Sequence, residues 1–337
     1  MMDRRQFNTT AITALAAPAL LWAGRGWGQG RDARLGDIAQ ITQGMTQLRA
    51  ILIQRGERIL LETAWRGPPL DRPAAIKSCS KSLVALLVAD ALARTALPSL
   101  QARLGDLAPR LIPDDADPRV ASITIEDLLT MRAGLQSTSH DRYGAWIASQ
   151  DWVAYALSRP MDAASGGKMI YSTASTHVLG AVLAELTGED LLVQMRRVLA
   201  EPLEIDLPPW VRDPQGRYLG GNEMALSPRA MLRVAVMMRD FGRFNGREVI
   251  ARDWIEATRK PRVYSDFSRL DYGYGWFLTP KGFLLARGYG GQIIAAHPER
   301  DLAVAITSDP DRPATSDGHF GDLLRLIEGP ITALALM

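Results

Sequence analysis

The distribution of apolar and polar positions divides the chain into three stretches with different periods. From Leu35 to Leu48, "LGDIAQITQGMTQL" repeats apolar residues at helical spacing. "RAILIQRGERILLETAW" then gives two extended runs on either side of Gln54-Arg55-Gly56-Glu57, which predicts a hairpin. From Ile76 to about Leu97 the text is apolar nearly all round, with Leu83, Val84, Leu86, Leu87, Val88 and Leu92, so a helix buried on most of its surface is expected there. Between Pro98 and Asp240 the helical period dominates. "ITIEDLLTMRAGL" places Thr124 and Asp127 as N-cap and N3 partner and Gly134 as a C-terminal stop, and further helices are expected at "DWVAYALS", "STHVLGAVLAELTG" and "SPRAMLRVAVMMRDFG". The last stretch returns to short apolar runs, "YGYGWFLTP", "GFLLARGYGG", "QIIAAHPERD" and "LAVAITSD", as in an antiparallel meander, and closes on a helix in "FGDLLRLIEGPITALAL".

If the first hairpin and the final meander share one sheet, the fold class is α/β: an antiparallel sheet flanked by helices, carrying an inserted all-helical domain. The expected boundaries are residues 36–97 and 241–337 for the sheet domain and 98–240 for the helical one. A chain of 337 residues with 47% hydrophobic and 23% charged residues is an ordinary soluble globule in composition. Its net charge is only +2 and its basic residues are scattered, which sets nucleic acid aside as a partner.

The N-terminus departs from that picture. Arg4, Arg5 and Phe7 precede an apolar run from about Ala11 to Ala23 that is too short to span a bilayer and contains Pro18. Residues 1–30 therefore read as a twin-arginine-type signal peptide. A periplasmic or secreted protein is expected, with no stable membrane insertion once the signal is removed. The single Cys79 cannot form a disulfide within the chain and is expected to be a small buried packing residue.

Lysine is rare here, occurring at positions 77, 81, 168, 260 and 281, and Lys81 follows Ser78 by one helical turn at the mouth of the apolar helix. The pair is either a solvated helix start or an activated nucleophile. Ser165 and Lys168 repeat the spacing in a glycine-rich loop without the apolar helix, so context distinguishes Ser78. Forced into apolar surroundings, Lys81 would lose several units from a reference pKa of about 10.4 and become a neutral base near pH 7. Tyr171, after a glycine-rich loop, is either a partner for that proton or a buried packing tyrosine. His177 on the helix that follows reads as a satisfied core or surface histidine. Gly288, Gly290 and Gly291 start a strand, where glycine admits the close approach of a ligand or simply of another strand. No serine stands in G-x-S-x-G, and His140, His177, His297 and His319 show no metal-ligand spacing, so neither a nucleophile elbow nor a metal site is expected.

Taken in order, Ser78-Cys79-Ser80-Lys81, "ITIEDLLTMRAGL", Tyr171-Ser172-Thr173 and Tyr289-Gly290-Gly291-Gln292 resemble the serine β-lactamase-like family, in its class C, esterase and penicillin-binding branch, which includes 6-aminohexanoate-dimer hydrolases. The resemblance covers roughly residues 36–330. It implies an acyl-enzyme hydrolase with Ser78 as nucleophile, Lys81 as the amine that takes its proton and Tyr171 completing the relay. It further implies an oxyanion hole from the backbone N–H groups of Ser78 and Gln292, substrate contacts at Thr173, Tyr289, Gly290 and Gly291, and no metal or organic cofactor.

Two positions depart from the family pattern: Thr173 replaces an Asn, and Tyr289 stands where penicillin-recognising members carry Lys or His. Tyrosine offers a hydroxyl and a ring face instead of a charge, so a small neutral ester or amide is the expected substrate. Trp146, Trp152, Tyr264, Tyr272 and Trp276 are candidates to line an acyl pocket. The competing readings are a β-lactamase or D-alanyl-D-alanine peptidase, and a catalytically silent protein that binds peptidoglycan fragments or a partner.

Overall fold

A computed structural model describes residues 22–336. Of the expected signal peptide, residues 1–21 lie outside the described residues. The expected hairpin forms from β1 (Leu48–Arg55) and β2 (Arg58–Ala64), turning at Gly56 and Glu57. The C-terminal meander supplies β3 (Val263–Ser265), β4 (Leu270–Tyr272), β5 (Phe277–Leu278), β6 (Leu284–Gly288), β7 (Gln292–His297) and β8 (Leu302–Ser308). All eight form one sheet in the order β2-β1-β8-β7-β6-β5-β4-β3, antiparallel at every junction. The N-terminal hairpin joins through β1 and β8, where Ile51 pairs with Ile306 and Ile53 with Val304.

The two faces of the sheet carry different side chains. Ala286, Ala296, Ala303 and Ala305 project with Leu52 and Ile294 toward α2 (Cys79–Ala93) and the helix Pro228–Arg239. Small residues there let helices settle close to the strands. Ile51, Ile53, Leu285, Ile293, Val304 and Ile306 fill the other face against Ile38 of α1 (Trp22–Gly44) and Phe320, Leu323 and Leu326 of α6 (His319–Leu326). The result is the expected α/β architecture, a large antiparallel sheet between helical layers.

Three elements differ from the sequence reading. Helix α2 begins at Cys79 and ends at Ala93, inside the expected Ile76–Leu97, because Lys77 (φ 51°) and Thr95 (φ 56°) adopt left-handed backbone conformations at its two ends. Thr124 and Asp127 do form the capping box of α3 (Ile125–Leu129), but the helix stops at Leu129, with Met131 left-handed (φ 61°). Gly134 lies in the next turn, where a Cβ would come within 2.4 Å of the Ala163 carbonyl oxygen. Finally, α5 (Pro228–Arg239), which the sequence groups with the helical stretch, lies on the sheet against β1, β7 and β8. The helix that follows Tyr171, α4 (Thr173–Thr187), packs beside α2.

Candidate active site

The turn preceding α2 sets the geometry. Ser80 Oγ donates to the Lys77 carbonyl at 2.6 Å and accepts from the Met224 N–H at 3.3 Å, so the left-handed Lys77 turn is clamped and Ser78 becomes the N-cap residue. Cys79 faces inward, fully buried, and its Sγ donates to the Gln292 carbonyl at 3.4 Å. Burial pushes its thiol far up, as expected of a packing cysteine.

One turn on, Lys81 is 3% exposed. Its Nζ lies 3.0 Å from Ser78 Oγ, 3.2 Å from Thr173 Oγ1 and 2.6 Å from the Gly221 carbonyl oxygen. Burial lowers its pKa to about 7. Tyr171 stands at the other side of Ser78, with Lys81 Nζ 5.0 Å from its ring centre. Burial pushes its phenol up to about 12, and the Ser78 side chain pulls in the opposite direction by hydrogen bonding. Ser78, Lys81 and Tyr171 thus lie together at the start of α2. Thr173, in the place of the family Asn, also touches Lys81 and is held by Ser139, whose Oγ is 2.9 Å from Thr173 Oγ1.

Ser78, Tyr171 and Thr173 open into a cavity of about 730 Å³. Its far wall is the end of β6, Arg287 and Gly288, followed by Tyr289. Gly290, Gly291 and Gln292 are not on that wall, which corrects three of the expected contacts. The chain turns back at Tyr289-Gly290-Gly291, and Gln292 is already the ladder partner of Gly288. The Gln292 side chain braces the hairpin, bonding the Ser308 backbone at 3.0 and 3.1 Å. A Cβ on Gly290 would fall 2.2 Å from the Asp309 carbonyl oxygen, and one on Gly291 would fall 2.9 Å from His319, so these two glycines serve packing. The glycine that brings β6 to the nucleophile is Gly288, where a Cβ would lie 2.3 Å from the Ile76 carbonyl oxygen.

Among the described residues the backbone N–H groups of Ser78 and Tyr289 donate to no protein acceptor, and both residues line the cavity. Of the two, Tyr289 and not Gln292 therefore has a free amide on the cavity wall.

Arg287 changes the electrostatics expected from the sequence. It has no carboxylate within ion-pair distance among the described residues, its guanidinium lies 3.6 Å from the Phe320 ring centre, and it donates to the Ala314 carbonyl at 3.1 Å. Burial lowers its pKa to about 10, which still leaves it cationic. The cation absent at Tyr289 is thus supplied two residues earlier. Alternation along β6 was the available signal, but an arginine among many scattered ones did not stand out.

The aromatic lining also differs from expectation. Trp146, Trp152, Tyr272 and Trp276 are core residues, and Tyr264 is 53% exposed outside the cavity. Tyr143, Phe267, Phe277 and Tyr289 form the aromatic surface instead. His140 also lines the cavity, whereas His177 is fully buried away from it. Gly221, whose carbonyl holds Lys81, was not foreseen.

A helix-start serine bonded to a desolvated lysine, beside the end of an interior strand of an antiparallel sheet packed between helices, defines a serine hydrolase. The family model for Beta-lactamase matches residues 39–326, and the chain belongs to that family. It is 25% identical over 312 residues to 6-aminohexanoate-dimer hydrolase of Paenarthrobacter ureafaciens, covering 85% of this chain and 78% of that protein. In fold it is similar to EstCE1, a hydrolase with promiscuous acyltransferase activity, with a TM-score of 0.72, 18% identity, and 89% and 98% of the two chains covered. It is also similar to a penicillin-binding protein homologue from Caulobacter crescentus, with a TM-score of 0.70, 17% identity, and 90% and 97% covered.

Proposed function

We propose that the protein hydrolyses a small ester or amide through an acyl-enzyme at Ser78. Neutral Lys81 accepts the Ser78 proton as Oγ attacks the carbonyl carbon, and Tyr171 delivers its phenol proton to the leaving oxygen or nitrogen, so that acylation ends with an ammonium and a phenolate. The N–H groups of Ser78 and Tyr289 stabilise the oxyanion. Water then adds to the acyl carbon as the Tyr171 phenolate takes its proton, Lys81 returns the first proton to Ser78 Oγ, and the acid departs. The observation that carries this reading is the 3.0 Å contact between Ser78 Oγ and a lysine that is 3% exposed. The likeness to an amide hydrolase and to EstCE1 supports the reaction class.

The cavity favours a second reading within the same chemistry. An unpaired Arg287 suits a substrate carboxylate, as a β-lactamase or D-alanyl-D-alanine peptidase would require, and weakens the preference for a neutral substrate. Retention of Ser78, Lys81 and Tyr171 together speaks against a silent binding protein.

The test is to treat the folded protein with a fluorophosphonate probe, locate the adduct by mass spectrometry, and assay an ester and amide panel beside a chromogenic cephalosporin. An adduct on Ser78 that Ser78→Ala abolishes, with ester or amide turnover, is expected. Cephalosporin turnover selects the second reading, and a folded protein with neither adduct nor turnover rejects both.

We further propose twin-arginine export, supported by Arg4, Arg5 and Phe7 ahead of the short apolar run and by a chain that needs no disulfide. No described helix is long and apolar enough to cross a membrane. Replacing both arginines with lysine is expected to retain the protein in the cytoplasm.

A further inference from the structure

His177 lies outside the cavity, yet it is one short chain of bonds from the lysine. Its Nε2 is 3.2 Å from Asp213 Oδ2, and both side chains are fully buried. Its Nδ1 is 3.3 Å from the backbone nitrogen of Gly220 and accepts that N–H. An accepting Nδ1 needs a free lone pair, so the ring proton resides on Nε2 and is donated to Asp213. Asp213 is fixed in turn, Oδ1 accepting the Arg217 N–H at 2.7 Å. Two peptide units on from the one that carries the Gly220 N–H, the Gly221 carbonyl oxygen lies 2.6 Å from Lys81 Nζ.

Gly220 and Gly221 are shaped for this placement. A Cβ on Gly220 would stand 2.4 Å from the Thr176 carbonyl oxygen, and one on Gly221 would stand 2.8 Å from that of Thr173, so the segment lies directly on the first turn of α4. Glycine permits that approach but also leaves the backbone free to rotate. The His177 acceptor removes the freedom at the first of the two residues.

We infer that His177 is a positioning residue for Lys81: by holding the Gly220 N–H in the tautomer set by Asp213, it aims the Gly221 carbonyl at Nζ and turns the amine's remaining lone pair toward Ser78. The inference rests on the proposed role of Lys81. A neutral amine has two N–H bonds and one lone pair. With Gly221 and Thr173 taking the hydrogens, the lone pair is left for the Ser78 hydroxyl.

Two substitutions separate positioning from mere support. Asparagine places Oδ1 where Nδ1 was, keeping the acceptor for Gly220 and leaving Asp213 Oδ2 only the Arg217 guanidinium, 3.6 Å away. Glutamine places Nε2 where the ring Nε2 was, keeping the Asp213 bond and losing the acceptor. A buried carboxylate that loses a hydrogen-bond donor costs more than a backbone amide that loses its acceptor, so the Tm is expected to be lower for His177→Asn than for His177→Gln. Positioning predicts the reverse order for catalysis: acylation of Ser78 by the fluorophosphonate probe stays near wild type in His177→Asn and falls about 10- to 100-fold in His177→Gln. Rates that follow the Tm order, or that are equal in the two folded variants, overturn the inference.

A second readout needs no turnover. Lys81 titration, followed through its ε-carbon by NMR, should match wild type in His177→Asn and move to lower pH in His177→Gln, where the ammonium has lost an acceptor. An unchanged titration in both overturns the inference, even if wild-type Ser78 takes no probe and the hydrolase reading itself falls. Should a variant at 177 not fold, Asp213→Asn, which still accepts from Nε2, should acylate like wild type, and Asp213→Leu, which releases the tautomer, should not. Equal rates in that pair likewise overturn it.

Discussion

Lys81 Nζ sits 3.0 Å from Ser78 Oγ, and none of its three hydrogen-bond partners is a carboxylate. Neutral oxygens orient the amine without offsetting the cost of burying its charge. That separates a proton acceptor from a structural ion pair, and it fixes the direction of several measurable effects.

Activity should rise with pH through about 7, where Lys81 gives up its proton. Below that value the rate is expected to fall about tenfold per pH unit, because only the neutral amine accepts from Ser78. Tyr171, near 12, keeps its proton throughout the usual assay range. A pH profile of kcat/KM with an uncharged ester checks this, and a rate already flat from pH 5 upward contradicts it.

The same group makes a stability prediction. The folded-state pKa of Lys81 is lowered, so between about 7 and its ordinary 10.5 the unfolded chain binds the extra proton. Stability therefore rises with pH across that window, and the cost of the buried ammonium is fully present below it. Lys81→Met should raise the Tm at neutral or lower pH by a few degrees while abolishing hydrolysis. Differential scanning calorimetry reads the first effect, and a Tm below wild type would contradict it.

Tyr289→Pro removes the proposed oxyanion donor while suiting the first central position of a turn. A loss of about 10²- to 10³-fold in kcat is expected. Tyr289→Ala keeps the N–H and should stay within about tenfold. Comparable losses in both variants would point to the side chain instead.

Arg287→Gln should reduce kcat/KM for a carboxylate-bearing ester relative to its neutral isostere, by about 10- to 100-fold for a lost charge-assisted bond. Arg287→Lys should recover part of that preference. A uniform loss on both esters would reduce Arg287 to a brace for the loop at Ala314.

Gly288→Ala should push β6 away from α2, since its Cβ would lie 2.3 Å from the Ile76 carbonyl oxygen. Overpacking of this kind costs about 1–3 kcal/mol, and activity should fall with it as Tyr289 leaves Ser78. Denaturant melts together with the probe rate measure both.

Much of this was legible before any coordinates, for local reasons. The hairpin at Gly56, the capping box of Thr124 and Asp127, and the strands of the meander are each written within a dozen residues as period, cap or turn. Ser78 and Lys81 are adjacent through one helical turn, so their pairing follows from helix geometry alone. Their joining with Tyr171 depended on the order of family motifs. The glycine cluster after Arg287 is legible in the sequence, but the turn within it, which leaves Tyr289 rather than Gln292 on the cavity wall, is not. A tight turn changes which amide is free without changing the apolar pattern on either side.

By itself the sequence determined the α/β class and the pairing of serine and lysine at the start of α2, because periodicity and helical spacing are properties of neighbouring residues. Only the tertiary structure decided that Gly221 holds the amine, that Arg287 supplies a cation, that Tyr289 carries the free N–H, and that Tyr143 and Phe267 rather than the buried tryptophans face the cavity. Each of those is a contact across the fold. Its existence depends on how closely helix and strand approach, which glycines and alanines permit but no local pattern specifies.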